Sequence, residues 1–167
     1  SNRPLAAKRW SPSSALVIAG IFSLFGIILL ALLNPLTSFL GTLSLVTYAF
    51  LYTPLKRYSP VSVIVGAIPG ALPVLIGMIA HDGVVTTGAL FLFAIQFIWQ
   101  FPHFWSIGFL SYDQYKHAGY KLLPEDDGQI DRRLGTQTLV YTCLLIPVIA
   151  IGFIMQLISI WGAIGLV

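Results

Sequence analysis

The chain has 167 residues, of which 57% are hydrophobic and 9% charged, against about a quarter charged in a soluble domain. A water-soluble surface cannot be built from that stock, which excludes an ordinary soluble globular domain. The net charge of +3 comes from basic residues separated by apolar runs, not gathered on one face, which argues against a nucleic-acid partner.

Apolar runs approaching the ~20 residues that cross a bilayer recur along the chain. They predict five transmembrane helices, at residues 14–33, 36–52, 61–80, 86–110 and 137–159. Turn chemistry separates them: Asn34-Pro35, Thr53-Pro54 with Ser59-Pro60, and His81-Asp82-Gly83. Residues 111–136 read as one polar loop, and 160–167 as either a turn or the start of another helix. Cys143 is the single cysteine, so no disulfide framework forms within the chain. The sequence starts at Ser1 with no signal-peptide pattern and ends on apolar residues, so it reads as a piece of a longer protein.

The nine basic residues sort by loop. Arg3, Lys8 and Arg9 precede the first span, Lys56 and Arg57 follow the second, and Lys116, Lys121, Arg132 and Arg133 follow the fourth. With alternating spans these regions share one face, which the positive-inside rule assigns to the cytoplasm, or to the matrix of an organelle. Five of the six acids lie there too, and Asp82 alone is opposite. Acids contribute little to topology, so this excess marks the basic face as the one that carries chemistry.

Three stretches carry candidate chemistry, each with a plainer reading beside it. Tyr52-Thr53-Pro54-Leu55-Lys56-Arg57 puts a phenol at a span end and two cations just outside, fit for an anionic head group or simply for anchoring topology. In the loop after span four, Asp113, Lys116 and His117 share a helical face, as a carboxylate for Mg²⁺ beside cations or as an interfacial helix. His103, within Trp99-Gln100-Phe101-Pro102-His103-Phe104-Trp105, lies eight residues before Ser111, about 12 Å inside the helix end. An imidazole at that depth is a functional candidate or a neutral residue bonded to a neighbouring helix. In span three, Gly66, Pro69, Gly70, Ala71, Pro73 and Gly77 favour close, kinked helix packing over substrate contact.

Together, Asn2-Arg3-Pro4-Leu5, Tyr52 to Arg57, Gly66 to Pro73 with Gly77, Trp99 to Trp105, and Asp113 to Pro124 resemble the UbiA-type intramembrane prenyltransferases. Within that family they resemble the branch that farnesylates protohaem IX to make haem O. The resemblance spans residues 2–124 in the family's order and spacing. It implies an all-α bundle of about nine membrane helices, of which this chain supplies the third to seventh as a single partial domain. It also implies that a first aspartate-rich motif lies upstream of Ser1, so that this segment alone is inactive.

The expected activity is transfer of a farnesyl group from farnesyl diphosphate to a vinyl group of protohaem IX, with Mg²⁺ as cofactor. By the same resemblance Arg3, Tyr52, Lys56, Arg57 and Lys121 contact the diphosphate, and Asp113 holds the metal with upstream aspartates. His103 and Asp113 are the expected catalytic residues. His103, flanked by Trp99 and Trp105, is the expected haem contact, through iron or a propionate. Where the family's second motif has two aspartates four apart, this chain has Asp113 and His117, which puts a second metal carboxylate in question. The expected surroundings are the lipid bilayer of a bacterial cytoplasmic membrane, or the mitochondrial inner membrane, with haem A synthase or oxidase-assembly proteins as partners. An aromatic prenyltransferase of quinone synthesis and a multispan transporter are the alternatives, though no inverted repeat supports the latter.

Overall fold

Five helices long and apolar enough to cross a bilayer dominate this computed structural model, in which residues 7–159 are described. Arg3 and residues 160–167 lie outside them. The first helix, α1 (Pro12–Leu33), opens with the Ser11 hydroxyl accepting from the Ser14 N–H at 3.0 Å and with proline at its first position. It ends at Asn34, whose side chain begins the next helix, α2 (Pro35–Val46), by accepting from the Thr37 N–H at 2.8 Å. The Asn34 amide also donates to the Ile79 carbonyl at 3.1 Å. One side chain thus starts the second span and ties its turn to the third.

The second span continues through a π-helical turn, Thr47–Tyr52, into a short α3 (Thr53–Leu55). The third, α4 (Ser62–Asp82), runs unbroken through Pro69 and Pro73 and stops at Gly83, where φ is 74°. Pro73 has no N–H for the carbonyl of Pro69 four residues back. The Ser44 hydroxyl approaches that carbonyl from α2 at 3.4 Å. The fourth and fifth spans are α5 (Thr87–Leu110) and α7 (Arg133–Ile154), with the short α6 (Tyr112–His117) between them.

Packing follows chain order: α1 on α2, α2 on α4, α4 on α5, α5 on α7. No other pair of long helices makes a comparable contact among the described residues. The centre of this row is α4. Its small residues Ala67 and Ala71 are fully buried, whereas α1 buries nothing and exposes Leu16, Phe22 and Leu32. Water would not accept such a surface and hydrocarbon does. Leu72, Leu75, Ile79 and Ala89 form one core cluster, and Val63, Ala67 and Phe101 the other, nearer the basic loops.

The stretch 111–136 is more ordered than the single polar loop read from the sequence. After α6 the chain buries Leu123 against Gly108 of α5, where a glycine Cβ would fall 2.8 Å from the leucine. It then forms a hairpin of β1 (Glu125–Asp126) and β2 (Gln129–Ile130). Asp127 and Gly128 turn it with φ of 48° and 77°, a two-residue turn with both central φ positive, which Asp-Gly favours.

Candidate functional site at the basic end

Pro54 shapes the end of the second span. In a regular α-helix its ring would clash with the carbonyl of Phe50; instead the helix widens, and both the N–H and the hydroxyl of Thr53 donate to the Tyr48 carbonyl, the hydroxyl at 2.8 Å. Single π turns of this kind recur at functional sites. This one leaves the Tyr48 and Tyr52 rings 5.3 Å apart. One turn on, the Lys56 ammonium sits 5.5 Å from the Tyr52 ring centroid and 4.7 Å from that of Tyr120. Lys56, Arg57, Tyr58 and Tyr120 line a recess of about 400 Å³ with Thr53 and Pro54. Two cations beside a half-buried hollow favour an anionic occupant.

Deeper between the spans, Ser44, Tyr48, Tyr52, Gly66, Gly70 and Phe104 line a second cavity of about 480 Å³. The glycines make room for side chains here. A Cβ on Gly66 would lie 2.7 Å from the Tyr52 ring, and one on Gly70 would lie 2.6 Å from Nε2 of Gln100. Gln100 is only 7% exposed, and its amide makes no hydrogen bond among the described residues. The sequence placed it within the Trp99 to Trp105 stretch without a role of its own, although an amide in mid-span is the kind of polar group that a membrane tolerates for a reason.

His103 is exposed on α5 and stacks on Trp99, with ring centroids 4.4 Å apart and planes 19° apart. Trp105 is not part of that pair. It faces α7, 5.7 Å from Phe101 and 5.2 Å from Tyr141. The expected trio of haem contacts therefore divides into an exposed pair and a packing residue, because positions two apart on a helix point in different directions.

The loop residues divide as well. Lys116, expected beside Asp113, donates to the Tyr112 hydroxyl and to the Gly128 carbonyl, both at 2.9 Å. Tyr112 in turn donates to Glu125 Oε1 at 2.8 Å. The hydrogen bond with Tyr112, followed by the Glu125 carboxylate, holds the Lys116 pKa above its ordinary value. Lys116 therefore fastens the hairpin. Lys121 meets Lys56 through its backbone, whose N–H donates to the Lys56 carbonyl at 2.8 Å. Asp113 and His117 are exposed and in no ion pair among the described residues. No three His, Cys, Asp or Glu side chains gather there either. Magnesium on a diphosphate uses one or two carboxylates and phosphate oxygens, so Asp113 fits one corner of such a site.

Five apolar spans, a polar cap and cavities between the helices define a multi-pass α-helical integral membrane protein. The chain matches the model of the UbiA prenyltransferase family over residues 1–167 and belongs to that family. It is 43% identical over 164 residues to a protoheme IX farnesyltransferase of Christiangramia forsetii, covering 98% of this chain and 52% of the relative. It is 44% identical over 145 residues to that of Flavobacterium johnsoniae, covering 87% and 48%. The Cytophaga hutchinsonii protein is 41% identical over 163 residues, covering 97% and 56%. The chain spans about half the length of these curated relatives. No solved structure matches it.

Proposed function

We propose that this protein is a prenyltransferase that moves a farnesyl group from farnesyl diphosphate to a vinyl group of protohaem IX, making haem O. The structural observation that carries the reading is the Lys56 ammonium held between two phenol rings, in a recess that Arg57 also lines. The relatives' shared name supplies the substrates. As the farnesyl C1–O bond breaks, its electron pair leaves on the diphosphate. Lys56 and Arg57, fixed charges lining the recess, stabilise that charge electrostatically. Arg3 and Lys121 are further candidates for the same anion.

The allylic cation passes under the faces of Tyr48, Tyr52 and Phe104, whose negative quadrupoles favour it. The vinyl group attacks C1, and water captures the resulting porphyrin-stabilised cation, supplying the hydroxyl and releasing a proton. Asp113 would be one ligand of Mg²⁺, with further carboxylates from outside the described residues; bound there, the ion would add positive charge against the leaving diphosphate. His103, stacked on Trp99, is the candidate haem contact. The basic loops face the cytoplasm of a bacterial membrane.

The decisive assay gives the full-length protein farnesyl diphosphate with either protohaem IX or an aromatic quinone precursor. Haem O as the sole prenylated product is expected; prenylation of the quinone precursor alone would replace this reading with that of an aromatic prenyltransferase. For His103→Ala, haem O formation and bound haem should fall together, and wild-type values for both would remove His103 from the site.

A further inference from the structure

The loop after α6 carries an aromatic ring that the diphosphate chemistry does not itself call for. Gly119, with φ of 74°, ends α6 as its first left-handed residue. The Gly119 N–H donates to Lys116 at 3.0 Å and the Tyr120 N–H to Tyr115 at 2.9 Å, the pair of bonds that defines a Schellman stop. That stop turns the chain back and lays the Tyr120 ring 4.7 Å from the Lys56 ammonium. On the far side the loop is pinned by Leu123 in its notch at Gly108, and between them the Lys121 N–H holds the Lys56 carbonyl at 2.8 Å. Both the backbone and the charged end of Lys56 are thus gripped by one loop, more than 60 residues away in sequence.

We propose that Tyr120 is a positioning residue: its ring, opposite Tyr52, holds the Lys56 ammonium in the orientation that receives the diphosphate. The inference rests on the reading of Lys56 as a diphosphate ligand. Lysine has a flexible four-carbon stem and a compact charge, so an unclamped Lys56 would spread over many rotamers and meet the anion less often. A phenol face attracts the ammonium through its quadrupole without neutralising it, whereas a carboxylate in the same place would compete with the substrate. The clamp needs the ring, not the hydroxyl.

The test uses the full-length protein with farnesyl diphosphate and protohaem IX. Tyr120→Phe should keep both KM values within about twofold, and Tyr120→Leu should raise the KM for farnesyl diphosphate about tenfold while leaving that for protohaem IX unchanged, in line with a cation–π contact of this size. In a Lys56→Ala background, Tyr120→Leu should add nothing. An equal effect in both backgrounds, or no effect in either, would overturn the inference. Phenylalanines of increasing fluorination at position 120 make the same test without a change of shape should the leucine variant fail to accumulate. The KM for farnesyl diphosphate should climb as fluorine drains the ring face, and a flat series would rule the clamp out. If Lys56→Ala itself leaves the kinetics unchanged, the reading of Lys56 fails and this inference goes with it; if that variant is impaired and Tyr120 is indifferent, only the inference fails.

Discussion

The two ends of α4 solve different problems. At the end away from the basic loops the connections are tight. Asn34 caps α2 and reaches Ile79, Gly83 closes α4, and the nearby core is the aliphatic set Leu72, Leu75, Ile79 and Ala89. At the basic end the helices are joined by longer segments and the core is richer in aromatic rings, while Gly66 and Gly108 admit Tyr52 and Leu123 much as Gly152 admits Phe91 at the other end. The first arrangement closes turns with few polar groups in hydrocarbon, where each unsatisfied one is costly. The second keeps cations and phenols beside open cavities, and the cap's hydrogen bonds hold them there. On the proposed function, stability and chemistry occupy opposite ends of one helix.

Substitutions should separate the two ends. The largest effect is expected at Lys56: in the full-length protein Lys56→Ala should lower kcat/KM for farnesyl diphosphate by about 10²-fold, the scale for removing one preorganised charge stabiliser, with no loss of thermal stability in detergent. Next come the glycines. Gly66→Ala places a Cβ 2.7 Å from Tyr52, and Gly152→Ala drives one into Phe91 near the bare end; overpacking of either kind costs ~1–3 kcal/mol. The first should also impair turnover by displacing Tyr52, while the second should lower only the unfolding temperature. Equal loss of turnover in both would erase the distinction between the ends.

Asn34→Ala removes a helix cap and a tie to Ile79, and should destabilise by about 1 kcal/mol with kinetics intact. The smallest effect belongs to the hairpin clasp. Lys116→Ala should speed amide exchange at residues 125–130 without altering thermal unfolding measurably, since the clasp is exposed. Because Lys116's pKa is raised in the folded protein, the clasp contributes fully below the ordinary lysine pKa. It is lost only as pH rises through the raised value, so exchange at those amides should be insensitive to pH-driven opening near neutrality.

Much of this was legible in the sequence, and what was missed has a common cause. Five apolar runs are long-range signals, and they stand as five long helices. The family resemblance, carried by motifs from Asn2 to Pro124, holds along the whole chain. The π turn went unread because it depends on one proline's clash with a carbonyl, not on hydrophobic period. The hairpin was hidden inside a polar stretch, although Asp127-Gly128 is the dipeptide that such turns prefer. Trp99 and Trp105 looked equivalent because composition gives no direction, and only the placement of α7 sends Trp105 to Tyr141. Lys116 and His117 looked like companions of Asp113 on one helical face; what claimed Lys116 was the carbonyl of Gly128, twelve residues on. Local patterns place residues on elements, and the contacts between elements decide which of them are free for chemistry.

The central claim, that the diphosphate is met at the basic end, can be tested without any substitution. A photoreactive farnesyl diphosphate analogue carrying its label next to the diphosphate would be irradiated with the full-length protein in bilayers, and the adducts mapped by mass spectrometry. Adducts within residues 48–58 and 115–123 are predicted, and excess unlabelled farnesyl diphosphate should abolish them. Adducts confined to the turns at Asn34-Pro35 or His81 to Val85 would contradict the account.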